Sequence, residues 1–149
     1  MSVTQLKDFS DFKIGQIFQS RPYLITSEEI KAFASLYDPQ PFHLDENAAN
    51  ASFFKGLAAS GWQTAAISMR LLTECIPLAG GLIGAGVEEL RWLKPVRPND
   101  TLQMTCEVLK MRVSQSKPHQ GFITLKTTLM NQYGESIQVC VSTIVVPTH

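Results

Sequence analysis

The chain has 149 residues, with 13 Lys+Arg against 13 Asp+Glu and a formal net charge of zero. That length suits a single domain, 1–149, able to bury roughly 68–70% of its unfolded surface, and the balanced charge without a Lys/Arg run excludes the electrostatic footprint of a nucleic-acid or anionic-membrane binder. No apolar run approaches the ~20 residues of a membrane helix, and MSVTQLKDFSDFKIG lacks a basic segment followed by an apolar stretch, so the expectation is a soluble, unexported, cytoplasmic protein.

Apolar positions alternate from Ile17 to Ile25, predicting a first strand. Thr26-Ser27-Glu28-Glu29 then offers the Thr-x-x-Glu pattern of a helix start, and Ile30, Phe33, Ala34 and Leu36-Tyr37 carry a short helix to about Tyr37. The stretch Asp38-Pro39-Gln40-Pro41-Phe42-His43 ends it. Each proline fixes its own φ and pushes the preceding residue into an extended conformation, so Asp38 and Gln40 are both restricted and the acid and imidazole are presented by a stiff loop. A site is built in this way, and so is a plain structural turn with Asp38 as a cap and His43 as a core-facing ring. Asp45-Glu46-Asn47-Ala48 reads as the N-cap and first turn of another helical piece before the irregular Phe53-Phe54-Lys55-Gly56.

Ser60-Gly61-Trp62-Gln63 matches a Ser-x-x-Gln capping box opening a helix that Pro77 terminates. Its apolar residues lie on most sides, which predicts a buried helix. After Gly80-Gly81 the period changes to two, with strands expected over Ile83 to Val96, Leu102 to Val113, Gly121 to Asn131 and Glu135 to Val146, separated by turn-rich breaks. These predict an antiparallel meander wrapped around the helix, an α+β architecture. Cys75, Cys106 and Cys140 are far apart among apolar neighbours, as reduced core thiols are. No metal-ligand spacing of His or Cys occurs, and His119 and His149 are assigned no role.

Asp38-Pro39-Gln40-Pro41-Phe42-His43 resembles the D-x-N-P-x-H stretch of the MaoC-like dehydratases, the hotdog-fold group that contains the (R)-specific enoyl-CoA hydratases. Two further landmarks follow in the same order: Ala58-Ala59-Ser60-Gly61-Trp62 resembles the start of the family's central helix, and Leu90 to Asp100 resembles its strand and turn "RFLKPVRPGD". The resemblance spans nearly the whole chain. It implies an antiparallel sheet around a central helix, and Asp38 and His43 as the proton-transfer pair of a hydratase or dehydratase interconverting 2-enoyl and 3-hydroxyacyl thioesters. Which of the two is acid and which base stays open; a desolvated Asp38 is expected to have a raised pKa.

Gly61, Ser60 and Gln40 are the expected substrate-binding residues. The unpaired amide of Gly61 at the helix start suits a developing thioester oxygen, and a missing side chain lets a carbonyl approach. Two positions depart from the family pattern: Gln40 replaces its Asn, and Ser60 stands where many members have His. No cofactor is implied beyond coenzyme A as part of the substrate. The implied partners are an acyl-CoA or acyl-carrier thioester and further copies of the chain, as a homodimer or higher oligomer. Arg91, Lys94 and Arg97 suit the phosphates of coenzyme A, or more simply a solvated face. The rival functions are a hotdog acyl-CoA thioesterase and a non-catalytic acyl-thioester binding protein.

Overall fold

In chain order the elements of the computed structural model are β1 (Ile17–Gln19), β2 (Tyr23–Leu24), α1 (Ser27–Tyr37), α2 (Pro41–Leu44), α3 (Glu46–Asn50), α4 (Gly61–Cys75), β3 (Ile83–Trp92), β4 (Thr101–Val113), β5 (Gln120–Met130) and β6 (Ser136–Pro147), after a 3-10 turn at Phe9–Asp11. Residues 8–78 and 80–148 are described. The first residues of the N-terminal stretch discussed above lie outside them, as does His149.

Period-two patterning sets the sheet. Leu102, Met104, Cys106 and Val108 of β4 are fully buried and alternate with less buried neighbours, as do Ile123, Leu125 and Leu129 of β5. The strand order is β1-β4-β5-β6-β3, antiparallel throughout, with β2 also on β4. The buried face receives Ile67, Leu71 and Leu72 of α4. The architecture is α+β, a hotdog fold with the sheet curled around one long helix. Of the three thiols, Cys106 belongs to its interior and Cys75 packs against it, burial pushing the first up to about 12 and the second up to about 11, while Cys140 on β6 is only half-buried.

Four expectations need correction. The first strand is two strands, because the segment gains one residue over β4 between Gln19↔Thr105 and Tyr23↔Leu102, where Pro22 has no amide to contribute to the ladder. The four long strands do not form a simple meander: β3 pairs with β6 at the far edge and not with β4. Its connection to β4, residues 93–100, contains Pro95 and Pro98 and passes the start of α4, where the Ala59 amide donates to Val96 O (2.9 Å). That crossing carries Trp92 to Val96 into the site.

Helix α4 is not buried on all sides. Gln63, Thr64, Ile67, Ser68, Leu71 and Leu72 are buried, whereas Trp62 and Met69 are 60% and 53% exposed. Finally, Ser60 and Gln63 do not form a reciprocal capping box. Ser60 Oγ accepts the Trp62 amide (3.3 Å), while Gln63 Nε2 donates to Glu29 O (3.0 Å) and ties α4 to α1.

Candidate active site

The two prolines do different work in the Asp38 to His43 stretch. Asp38 is the C-cap of α1, its amide donating to Ala34 O (2.9 Å), and Pro41 occupies the first turn of α2, where a missing amide costs nothing and a fixed φ is already helical. His43 therefore sits in a helical turn and not in a loop. Its backbone turn is clamped to the segment before α4 from both sides: the Ala58 amide donates to Phe42 O (3.2 Å), and His43 Nδ1 lies 2.5 Å from Ala58 O. A carbonyl can only accept, so Nδ1 is the donor to Ala58 O, which leaves Nε2 directed at Asp38.

Nε2 faces Asp38 Oδ2 at 3.3 Å. The acid is shared further: Ser60 Oγ donates to Oδ2 (2.7 Å) and Gln40 Nε2 donates to Oδ1 (2.5 Å). Burial pushes the Asp38 carboxyl up, but the Ser60 and Gln40 hydrogen bonds and the adjacent His43 outweigh it and hold the group below the usual carboxylate value. This overturns the expected rise. Asp38 is ionised at neutral pH.

Asp38, Gln40, His43 and Gly61 line a cavity of about 490 Å³ with Trp62, Trp92 and the crossing connection; Ser60 is fully buried behind it. The amide of Gly61, first residue of α4, has no acceptor among the described residues, since the Thr64 amide returns to Ser60 O and the Ser60 hydroxyl takes that of Trp62. Its missing side chain, however, serves a different neighbour from the one expected. A methyl group at Gly61 would lie 2.6, 2.7 and 2.9 Å from Cε2, Cδ2 and Cζ2 of Trp92, so the glycine admits an indole. That indole donates from Nε1 to the buried Gln138 (2.9 Å) and meets Trp62 edge to face, centroids 5.2 Å apart.

Trp92 and the rings of Phe42 and Phe54 beside His43 are site residues that patterning did not single out. Phe53-Phe54 in an irregular stretch was the available signal for the second of these walls. Arg97 holds that wall, donating to Phe54 O, to Gly56 O (2.8 Å) and to Leu57 O (3.3 Å). Arg91 pairs with Glu89 (2.6 Å) and Lys94 with Glu135, so of the three basic residues only Lys94 reaches the cavity. Asn99 stands at the glycine of the family's turn pattern with φ 69°, a left-handed conformation that Asn tolerates better than other side chains.

A family model described as "MaoC like domain" matches residues 11–130. The (R)-specific enoyl-CoA hydratase of Rhodospirillum rubrum is 31% identical over 121 residues, covering 80% of this chain and 78% of the relative. An uncharacterised protein of Bacillus subtilis, YdeM, is 35% identical over 127 residues, covering 84% and 86%. The crystal structure of a MaoC-like dehydratase from Rhodospirillum rubrum superposes with a TM-score of 0.91 at 46% identity, covering 95% of this chain and 97% of that one. With the hotdog sheet, the family match over most of its length and these relatives, the chain belongs to the MaoC-like dehydratase family, which includes the (R)-specific enoyl-CoA hydratases.

Proposed function

We propose that the protein reversibly hydrates 2-enoyl thioesters to (R)-3-hydroxyacyl thioesters, acyl-CoA being the expected form, with Asp38 and His43 as the proton-transfer pair. The observation that carries this reading is the pairing of the Asp38 carboxylate with His43 Nε2, 3.3 Å apart on the wall of one cavity. With the imidazole in its neutral form, one water within reach of both donates a hydrogen to each, which leaves an oxygen lone pair for carbon 3 of the enoyl group. As the O–C3 bond forms, one acceptor takes a water proton and the C2=C3 electron pair moves toward the thioester carbonyl. The Gly61 amide holds the resulting enolate-like oxygen, helped by the positive end of α4. The proton is then returned to carbon 2, so one water is consumed and no cofactor is used.

Loss of enoyl absorbance on addition of enzyme to a panel of 2-enoyl-CoA thioesters, without release of free thiol, is the expected result. Thiol release would favour the thioesterase, and binding with unchanged absorbance would favour the non-catalytic protein.

The sheet edge supports a homodimer as the working form. Among the described residues β3 has no strand beyond it, and Ile83, Val87 and Trp92 are 60%, 63% and 44% exposed along it, with Trp92 against the exposed Trp62 of α4. An apolar edge strand next to an apolar helix stripe invites pairing with a second copy, which would also cover the Trp92 side of the cavity. Light scattering across a dilution series is expected to give at least a dimer; a fully active monomer would refute the pairing. Within the described residues no helix is long and apolar enough to cross a membrane.

A further inference from the structure

We propose that Ser60 and Gln40 act as one clamp on Asp38, each holding a different carboxylate oxygen, and that they are positioning residues for the proton transfer instead of substrate contacts. The inference rests on the hydratase reading above for its catalytic meaning, but the clamp itself is a matter of geometry. Ser60 Oγ donates to Oδ2 at 2.7 Å and Gln40 Nε2 to Oδ1 at 2.5 Å, so the two donors approach Asp38 from opposite ends of the carboxylate.

The two donors are held differently, Ser60 by burial and Gln40 by its backbone. The Ser60 hydroxyl is fully buried and accepts the Trp62 amide, so its single proton is directed at Asp38. Gln40 lies between Pro39 and Pro41 with its backbone extended (φ −105°, ψ 145°) and its amide bonded to Asp38 O (2.8 Å). Its length matters: an Asn at this position is one methylene shorter and does not span the same gap from the same backbone.

Two neutral donors stabilise the charged form of the acid without supplying a proton that competes with water. They also leave the lone pairs on the His43 side of Oδ2 for the reacting water. Among the described residues, His43 on α2 is the titratable group whose charge bears on Asp38; Lys94, which also lines the cavity, is paired with Glu135. The clamp thus fixes both the orientation of the base and the pH range in which it is a base.

The test uses Ser60→Ala, Gln40→Ala and the double variant of the full chain. The Asp38 carboxyl is followed by carbon-13 NMR through a pH titration without substrate, its resonance identified by its loss in Asp38→Asn. Each single change is expected to move the Asp38 midpoint to higher pH, the double change further. The acid limb of kcat/KM for 2-enoyl-CoA is expected to follow the same order, with the plateau falling roughly ten-fold per lost donor to a charged group.

A midpoint unchanged in the double variant overturns the clamp. A midpoint that moves while the acid limb stays in place overturns the positioning role, because Asp38 would then not be the group whose ionisation governs the reaction. Loss of fold alone lowers the plateau without moving either pH, and exposed Gln40 keeps the test open if Ser60→Ala, which also removes a helix cap, fails to fold. Failure of the hydratase reading is separately visible: the wild-type protein then leaves enoyl-CoA unchanged, while the NMR titration still decides whether the clamp exists.

Discussion

Asp38→Asn is expected to reduce enoyl-CoA hydration by about 10²–10⁴-fold, the range of a lost general acid or base, with His43→Asn close behind and the double variant no slower than the worse of the two. The choice of Asn at position 43 follows from the site. His43 is only 4% exposed and packs edge to face on Phe42, so truncation to Ala would leave a cavity and an orphaned Ala58 carbonyl and would mix stability with chemistry. Asn still offers an amide donor to Ala58 O and deletes only the Nε2 that faces Asp38. If one water is held by both groups, either change empties the arrangement and the second change has nothing left to remove. Losses that multiply in the double variant, with thermal midpoints unchanged, would show two independent contributions and contradict a shared water.

The Gly61 amide requires a test built around Trp92. Because a Cβ at Gly61 would collide with the indole, both Gly61→Ala and Gly61→Pro disturb the site before any donor is considered, at a cost of about 1–3 kcal/mol for overpacking. In a Trp92→Ala background that collision is removed, and the two substitutions then differ mainly in the presence of the N–H. Proline is tolerated at a first helical position, which Gly61 occupies. Against Gly61→Ala in that background, Gly61→Pro is expected to be slower by about 10²–10³-fold, the usual loss for one oxyanion donor. Equal turnover in two folded proteins would mean that another group holds the thioester oxygen. The same series should show Gly61→Ala regaining thermal stability when Trp92 is also replaced.

What the sequence made legible was local. The alternation of Leu102, Met104, Cys106 and Val108 identified a strand and its buried face, because period two needs only the strand itself. The end of α1 at Tyr37 followed from the prolines beyond it, and the Asp38 and His43 spacing followed from a motif. Long-range pairing was not legible. Nothing in β3 states that its partner is β6, and so the crossing that brings Trp92 over Gly61 and onto Gln138 could not be read from residues 46 positions apart. For the same reason Gln40 and Ser60, singled out one at a time as departures and as substrate contacts, gave no sign of meeting on one carboxylate. The buried-helix reading failed on a different ground. Trp62 and Met69 are apolar whether they face a core or a second subunit, and composition does not distinguish the two.

The fate of the water oxygen tests the central claim most directly. Hydration in oxygen-18 water of a short 2-enoyl-CoA, followed by mass spectrometry of the intact thioester, should give one labelled oxygen on carbon 3 of a 3-hydroxyacyl-CoA, at a rate that collapses in Asp38→Asn. Label appearing instead in a free carboxylate, with coenzyme A released, or incorporation at carbon 3 that continues undiminished in Asp38→Asn, would contradict the assignment of Asp38 and His43 as the groups that deliver water to an enoyl thioester.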